Sequence, residues 1–116
     1  MANNIAFQPM GALVVMTASS ANVQGNVVTI TASSPSNQYY VSNPDKDNGI
    51  FVAYGQTANI TASIPVEGTP ANVVYIPPYT SKVFTGPQCS ATKTVYARMI
   101  GPHNNAVCYV CPGEGL

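Results

Sequence analysis

A proline or glycine interrupts this chain about every six residues, ten prolines and nine glycines in 116 positions. That spacing is shorter than an ordinary helix of about 11 residues, and no window carries apolar residues at helical intervals between caps. The runs between interruptions are rich in Val, Ile, Thr and Tyr, which suit a pleated, half-buried strand. The pattern predicts an all-β protein: a single-domain antiparallel β-sandwich of jelly-roll-like or immunoglobulin-like topology. Strands are expected near Ala12–Thr17, Val27–Ala32, Gln38–Ser42, Ile50–Tyr54, Ala58–Ile64, Val73–Ile76, Ser81–Thr85, Thr94–Ile100 and Ala106–Cys111. Residues 12–116 form the sandwich domain in this reading. Residues 1–11 form either a first edge strand or an arm that reaches a neighbouring subunit.

Turn chemistry predicts two hairpins. Ser42 and Ile50 flank NPDKDNG, where Pro44 fixes one backbone angle and Asn48-Gly49 tolerate positive φ. Ile100 and Ala106 flank GPHNN, built on the same logic. Pairing the second hairpin around its loop sets Arg98 opposite Cys108 and Ala97 opposite Tyr109. Cross-strand partners share a face, so Val95, Ala97, Met99, Val107, Tyr109 and Cys111 are expected to face the core. Tyr96, Arg98, Ile100, Cys108 and Val110 then form a mixed face able to meet a partner.

The chain has four basic and four acidic residues, 7% of its length against about 25% in an average soluble domain. Ser, Thr, Asn and Gln must therefore carry the solvation. With no net charge, the electrostatic footprint of a nucleic-acid binder or a basic membrane-surface protein is missing. No segment has the roughly 18 to 20 continuous apolar residues of a transmembrane helix. The apolar run Ala12–Met16 is too short for a signal peptide and has no basic region before it. The expectation is a soluble protein made in the cytosol, with its three cysteines reduced and buried.

Candidate chemistry is sparse. Cys108 and Cys111 form a C-x-x-C, yet only five residues follow, too few for the helix that activates a redox thiolate. In a strand their Cα atoms lie about 10 Å apart, beyond the ~7 Å limit of a disulfide. Cys89 and His103 supply no second ligand pair for zinc. Asp45 and Asp47 share a turn, but alignment with a calcium loop puts Pro44 and Lys46 at ligand positions. His103 is the one histidine, and no G-x-S-x-G accompanies it. No enzyme activity and no metal or other cofactor is expected. The seven tyrosines could stack on sugars, but without tryptophan they suit interfaces and core better.

Three windows, NVVTITAS, GIFVAYG and ANVVYI, combine high β-propensity with no charge. Exposed edges of that kind invite pairing with another chain, and only three lysines are present to guard them. A homo-oligomer is the expectation.

The stretches NNIAFQPMGALVVMTA, IFVAYGQTANITASIPVEGTP and VVYIPPYTSKVFTGPQCSATKTVYARMI, with the closing YVCPGEGL, carry a family resemblance. Together they resemble the small β-sandwich proteins encoded among the virion genes of tailed bacteriophages. The resemblance implies a capsid decoration, or cement, protein that binds the outside of a head and reinforces contacts between major capsid protein subunits. It implies assembly in the host cytoplasm and a final place on the capsid exterior. It brings no catalytic motif, so no catalytic site is carried over. The expected contacts are the N-terminal segment with Ile5, Phe7 and Gln8, the loop Pro77-Pro78-Tyr79, and the mixed face with Tyr96, Arg98 and Cys108. The alternative is a tail or spike accessory protein, or an adhesion module that binds glycans through its tyrosines.

Overall fold

The computed structural model describes residues 8–114. It contains β1 (Gln8–Pro9), β2 (Val14–Ala18), β3 (Val28–Ile30), β4 (Ser36–Asn43), β5 (Ile50–Gly55), β6 (Val74–Ile76), β7 (Thr80–Cys89), β8 (Val95–Ile100) and β9 (Ala106–Glu114). All pairing between these strands is antiparallel. Sheet A runs β1/β2-β9-β4-β7, with β1 and β2 meeting different stretches of β9, so that it is four strands wide. Sheet B runs β3-β8-β5-β6.

The chain leaves one sheet for the other after β2, β3, β4, β6, β7 and β8, and stays within a sheet only from β1 to β2 and from β5 to β6. This double-sheet order is the jelly roll. Both predicted hairpins are therefore corrected. Residues 44–49 join β4 of sheet A to β5 of sheet B, and residues 101–105 join β8 of sheet B to β9 of sheet A. Turn residues report that the chain reverses. They do not report whether its two arms bond to each other or arch over the core.

A second correction follows from the first. β9 pairs with β2 and β4, so Cys108 stands opposite Met16 and Val110 opposite both Val14 and Val41. Ala106, Cys108 and Val110 face the core, whereas Val107 and Tyr109 face outward. The expected faces of this strand are exchanged, the consequence of a parity inferred from the wrong partner. Cys111 is buried, but it lies opposite the outward Tyr40 and its thiol reaches the Gly11 carbonyl at 3.5 Å, outside the main core. On β8 the expectation holds, with Val95, Ala97 and Met99 in the core.

Ala58–Ile64 is not a strand; it belongs to the long β5–β6 connection, residues 56–73. Its apolar side chains alternate because they pack on a sheet, not because they extend one. At the N-terminus, Gln8 and Pro9 form an edge pairing with Glu114 and Gly113. Ile5 and Phe7 lie outside the described residues.

The core is one cluster between the sheets, with Met16, Ile30, Ile50, Ile76, Val95, Met99 and Cys108 almost wholly buried. An apolar void of about 30 Å³ remains among Tyr39, Val41, Val52, Val74, Phe84 and Val95. It is roomy enough to admit a water, but its lining offers no polar partner, which favours a dry space. The Tyr39 hydroxyl reaches the edge strand β7, donating to the Pro87 carbonyl. Burial raises the pKa of that hydroxyl far above its ordinary value.

The same burial pushes the Cys108 thiol up to about 12 and raises Cys111. All three cysteines are free and buried. The native protein should therefore leave its thiols silent toward Ellman's reagent at mildly alkaline pH, and all three should react in denaturant. The parity of β2 is tested by Met16→Ala, expected to cost about 2–5 kcal/mol in denaturant unfolding, against Val15→Ala at no more than about 1 kcal/mol.

Candidate functional site

The two outer faces of the sandwich differ. On sheet B, Ala53 and Ile100 belong to the outward parity yet are only 3% and 5% exposed. The 56–73 connection covers them, bringing Ala62, Ile64 and Val73 against Phe51, Ala53 and Ile100. Its backbone is tied down from both sides. Arg98 donates from Nε to the Gly25 carbonyl at 2.6 Å and from Nη1 to the Ile60 carbonyl at 3.2 Å. The Ala62 N–H donates to Gln24 Oε1 at 2.8 Å. This sheet has its third layer within the same chain.

Sheet A has no such cover among the described residues. Its outward rows, read from the strand registers, are Val15–Tyr109–Ser42–Ser81, Cys111–Tyr40–Val83, Thr17–Val107 and Gln38–Thr85. None of these residues is charged. Val15 is 49% exposed and Tyr40 37%, with Leu13 just ahead of β2 at 56%. On this neutral face Tyr40 and Tyr109 stand on the two central strands, Val15 and Val83 on the outer ones, with Ser, Thr and Gln interspersed, a mixture of aromatic and uncharged polar groups that suits contact with another protein. It offers large apolar contact area without any charge to desolvate.

A second feature lies at one end of the sandwich, where the connections 19–27, 44–49, 77–79 and 101–105 gather. Asn43, 1% exposed, organises it. Its Nδ2 donates to the carbonyls of Asn48, Pro77 and Ile76 at 2.9, 3.2 and 3.4 Å, while its Oδ1 accepts the Asp45 N–H. Asp45 continues the network: Oδ1 accepts the N–H groups of Asp47 and Asn48, and Oδ2 lies 3.4 Å from His103 Nε2. Those bonds, the Asp47 N–H first, hold the carboxyl below its ordinary pKa. The Asp45 carbonyl accepts the Tyr79 N–H at 2.7 Å.

All three non-glycine residues with positive φ among those described, Asn22, Tyr79 and Asn105, sit at this end. Asn tolerates that conformation; for Tyr79, at φ 52°, it is a strained state held by its surroundings. The Tyr79 ring is 79% exposed.

The expected contact residues are thus dispersed. Pro77, Pro78 and Tyr79 form the β6–β7 turn at the braced end. Gln8 sits on the far edge of sheet A, paired with Glu114. Tyr96, half-buried, lies on the outer side of sheet B between Thr29 and Gly55. Arg98 is on that face too, but its guanidinium is spent on the chain's own loops. Cys108 is fully buried, so its assignment to a partner surface is corrected: its true neighbour is Met16, not Arg98. The sequence reading missed the outward residues Val15, Tyr40 and Tyr109, which lie in two adjacent rows. The one signal in β2 was that VVMTA is an uncharged, mostly apolar run with a residue to spare for each face.

Among the described residues, no group of three or more His, Cys, Asp or Glu side chains gathers into a metal site. Comparison of the chain with family models, curated proteins and solved structures returns no match.

Removing the Asn43 amide orphans buried carbonyls, so Asn43→Ala should cost about 1–3 kcal/mol in thermal or denaturant unfolding. The sign for Asp45 follows from its lowered pKa. Its stabilising contribution is present above the ordinary carboxylate range and is lost as pH falls through the depressed folded value. Asp45→Asn should therefore destabilise the protein at neutral pH. The gap to the parent should close in acid, measured as melting temperature against pH.

Proposed function

We propose that this protein is a structural virion component, a capsid decoration protein that lays the uncharged outer face of sheet A on the major capsid protein and braces neighbouring coat subunits. The observation that carries the reading is the asymmetry of the two faces. One is roofed by the chain's own 56–73 connection, and the other, uncharged across every outward row, has no such roof among the described residues. The resemblance of the sequence to tailed-phage β-sandwich proteins supplies the identity of the partner.

The physics suits that role. Burying what remains exposed of Val15, Tyr40 and Tyr109 contributes about half or less of the roughly 1.5–3 kcal/mol that full burial of a large side chain is worth, before the cost of association. Many copies on a lattice turn modest contacts into firm occupancy once copies are linked. Binding of this kind requires no catalytic residue, cofactor, nucleic acid or membrane, and the protein acts on the capsid exterior after assembly in the host cytoplasm.

An alternative is a tail or spike accessory module that binds glycans at the braced end. The exposed Tyr79 ring favours it, as a platform on which a sugar could stack. Against it, Asn43 and Asp45 spend their polar atoms on the loops themselves, leaving fewer groups for sugar hydroxyls.

The test is co-sedimentation with purified heads of the phage that encodes the protein. Tyr109→Lys, which sets an ammonium in the middle of the face, should weaken binding at least about tenfold, while Thr29→Lys on sheet B should leave it unchanged. Binding should also vary little with salt, because no charge pair holds it. Equal binding by the Tyr109→Lys variant and the parent would remove sheet A from the contact.

A further inference from the structure

The open edges of the sandwich are protected unequally. Along the β2–β3 side the two sheets are stitched together. Ser33 bonds to the Met10 carbonyl through both its N–H and its hydroxyl, and Gly25 donates its N–H to the Met99 carbonyl while lying against the Thr17 backbone. On the opposite side, β7 is guarded by Pro87 and by Lys82, an exposed charge whose register opposite Val41 points it toward the inner face. Among the described residues strand β6 is the other open edge of sheet B, and it has no guard of that kind. No residue from Gly68 to Ser81 is charged, and Tyr75, in the middle of β6, is 47% exposed.

We propose that two copies of this chain pair antiparallel along β6, about a two-fold axis through Tyr75, joining their B sheets into one. In this register Tyr75 meets its own counterpart, and Val74 of each copy meets Ile76 of the other, as a self-complementary interface requires. Pro77 and Pro78 have no N–H to donate, so the ladder stops after three residues and the assembly closes as a dimer. The turn Pro77–Tyr79 of each copy comes alongside Ala71–Val73 of the other. That stretch lines a surface groove of about 410 Å³, bounded by Tyr54, Ala71, Asn72, Val73 and Val74. The Tyr79 ring fills it, with the Asn72 amide at the rim for its hydroxyl.

The braced end then has a purpose. The Tyr79 backbone is fixed in its strained conformation by the Asp45 carbonyl, so presenting the ring to a second copy costs little further backbone ordering. Size decides the strength. At about 200 Å² per ring, Tyr79 and Tyr75 supply roughly 250 Å² per copy, well under the ~800 Å² per partner of a standard interface. The result is a dimer in the micromolar range or weaker, populated where copies crowd, as on a surface lattice. It does not depend on the coat-docking reading, because β6 belongs to sheet B and leaves the face of sheet A free.

Sedimentation equilibrium of the full chain from about 5 µM to about 1 mM should show a monomer–dimer equilibrium, weakened at least about tenfold by Tyr79→Ala. Opposed Cα atoms at a strand two-fold lie within disulfide range. Tyr75→Cys should therefore form an intermolecular disulfide under mild oxidation, while Thr29→Cys, on the far edge of sheet B, should not. Circular dichroism and thermal melts establish that each variant is folded, and the cross-linking does not rely on Tyr79→Ala. A chain that stays monomeric at about 1 mM, or a dimer that neither cross-links through position 75 nor responds to Tyr79→Ala, would overturn the proposal.

Discussion

Scarcity of charge is the constraint on which the rest of this structure depends. With eight acidic and basic side chains in 116 residues, the protein cannot solvate broad strand surfaces with ammonium and carboxylate groups. Each apolar face must be covered by another layer. Between the sheets this produces the core around Met16, Ile50 and Met99. Over sheet B it produces the 56–73 roof, held by Arg98 and Gln24. Over sheet A the chain supplies no third layer among the described residues, and in the proposed function a partner supplies it.

The few charged and amide groups that exist are used as fasteners. Arg98 ties two connections to sheet B, and Asp45 closes one turn while facing His103 across to another. Asn43 does the same from a buried position with neutral chemistry. Their bonds run mainly to backbone groups, the polar atoms most costly to bury unpaired. Six of the inter-strand connections arch over the core, and an arch lacks the hydrogen-bonded ladder that steadies a hairpin. Side-chain fasteners at the ends replace it.

Much of this was legible in the sequence, and the failures have a common source. Strand positions could be read because β-branched runs alternate with Pro and Gly. Eight of the nine expected strands overlap observed ones, the exception being 58–64. What local pattern could not give was partnership. NPDKDNG and GPHNN look alike whether they close a hairpin or an arch, and the choice decides which parity of β9 is buried. Cys108 was placed on a surface for that reason alone. The 56–73 connection misled in a related way: Ala62 and Ile64 are spaced like strand residues because they pack on one. Tyr79 was legible as part of a proline-held loop, but its left-handed backbone and its tie to Asp45 depend on a contact 34 positions away in the chain.

The central claim is that the outer face of sheet A is the surface this chain leaves for another protein. Hydroxyl-radical footprinting of the protein, free in solution and on intact heads, tests it most directly. Modification of Tyr40 and Tyr109 should fall several-fold on the particle, while that of Tyr96 on sheet B stays unchanged. Equal modification of Tyr40 and Tyr109 in both states, with protection appearing on sheet B instead, would contradict it.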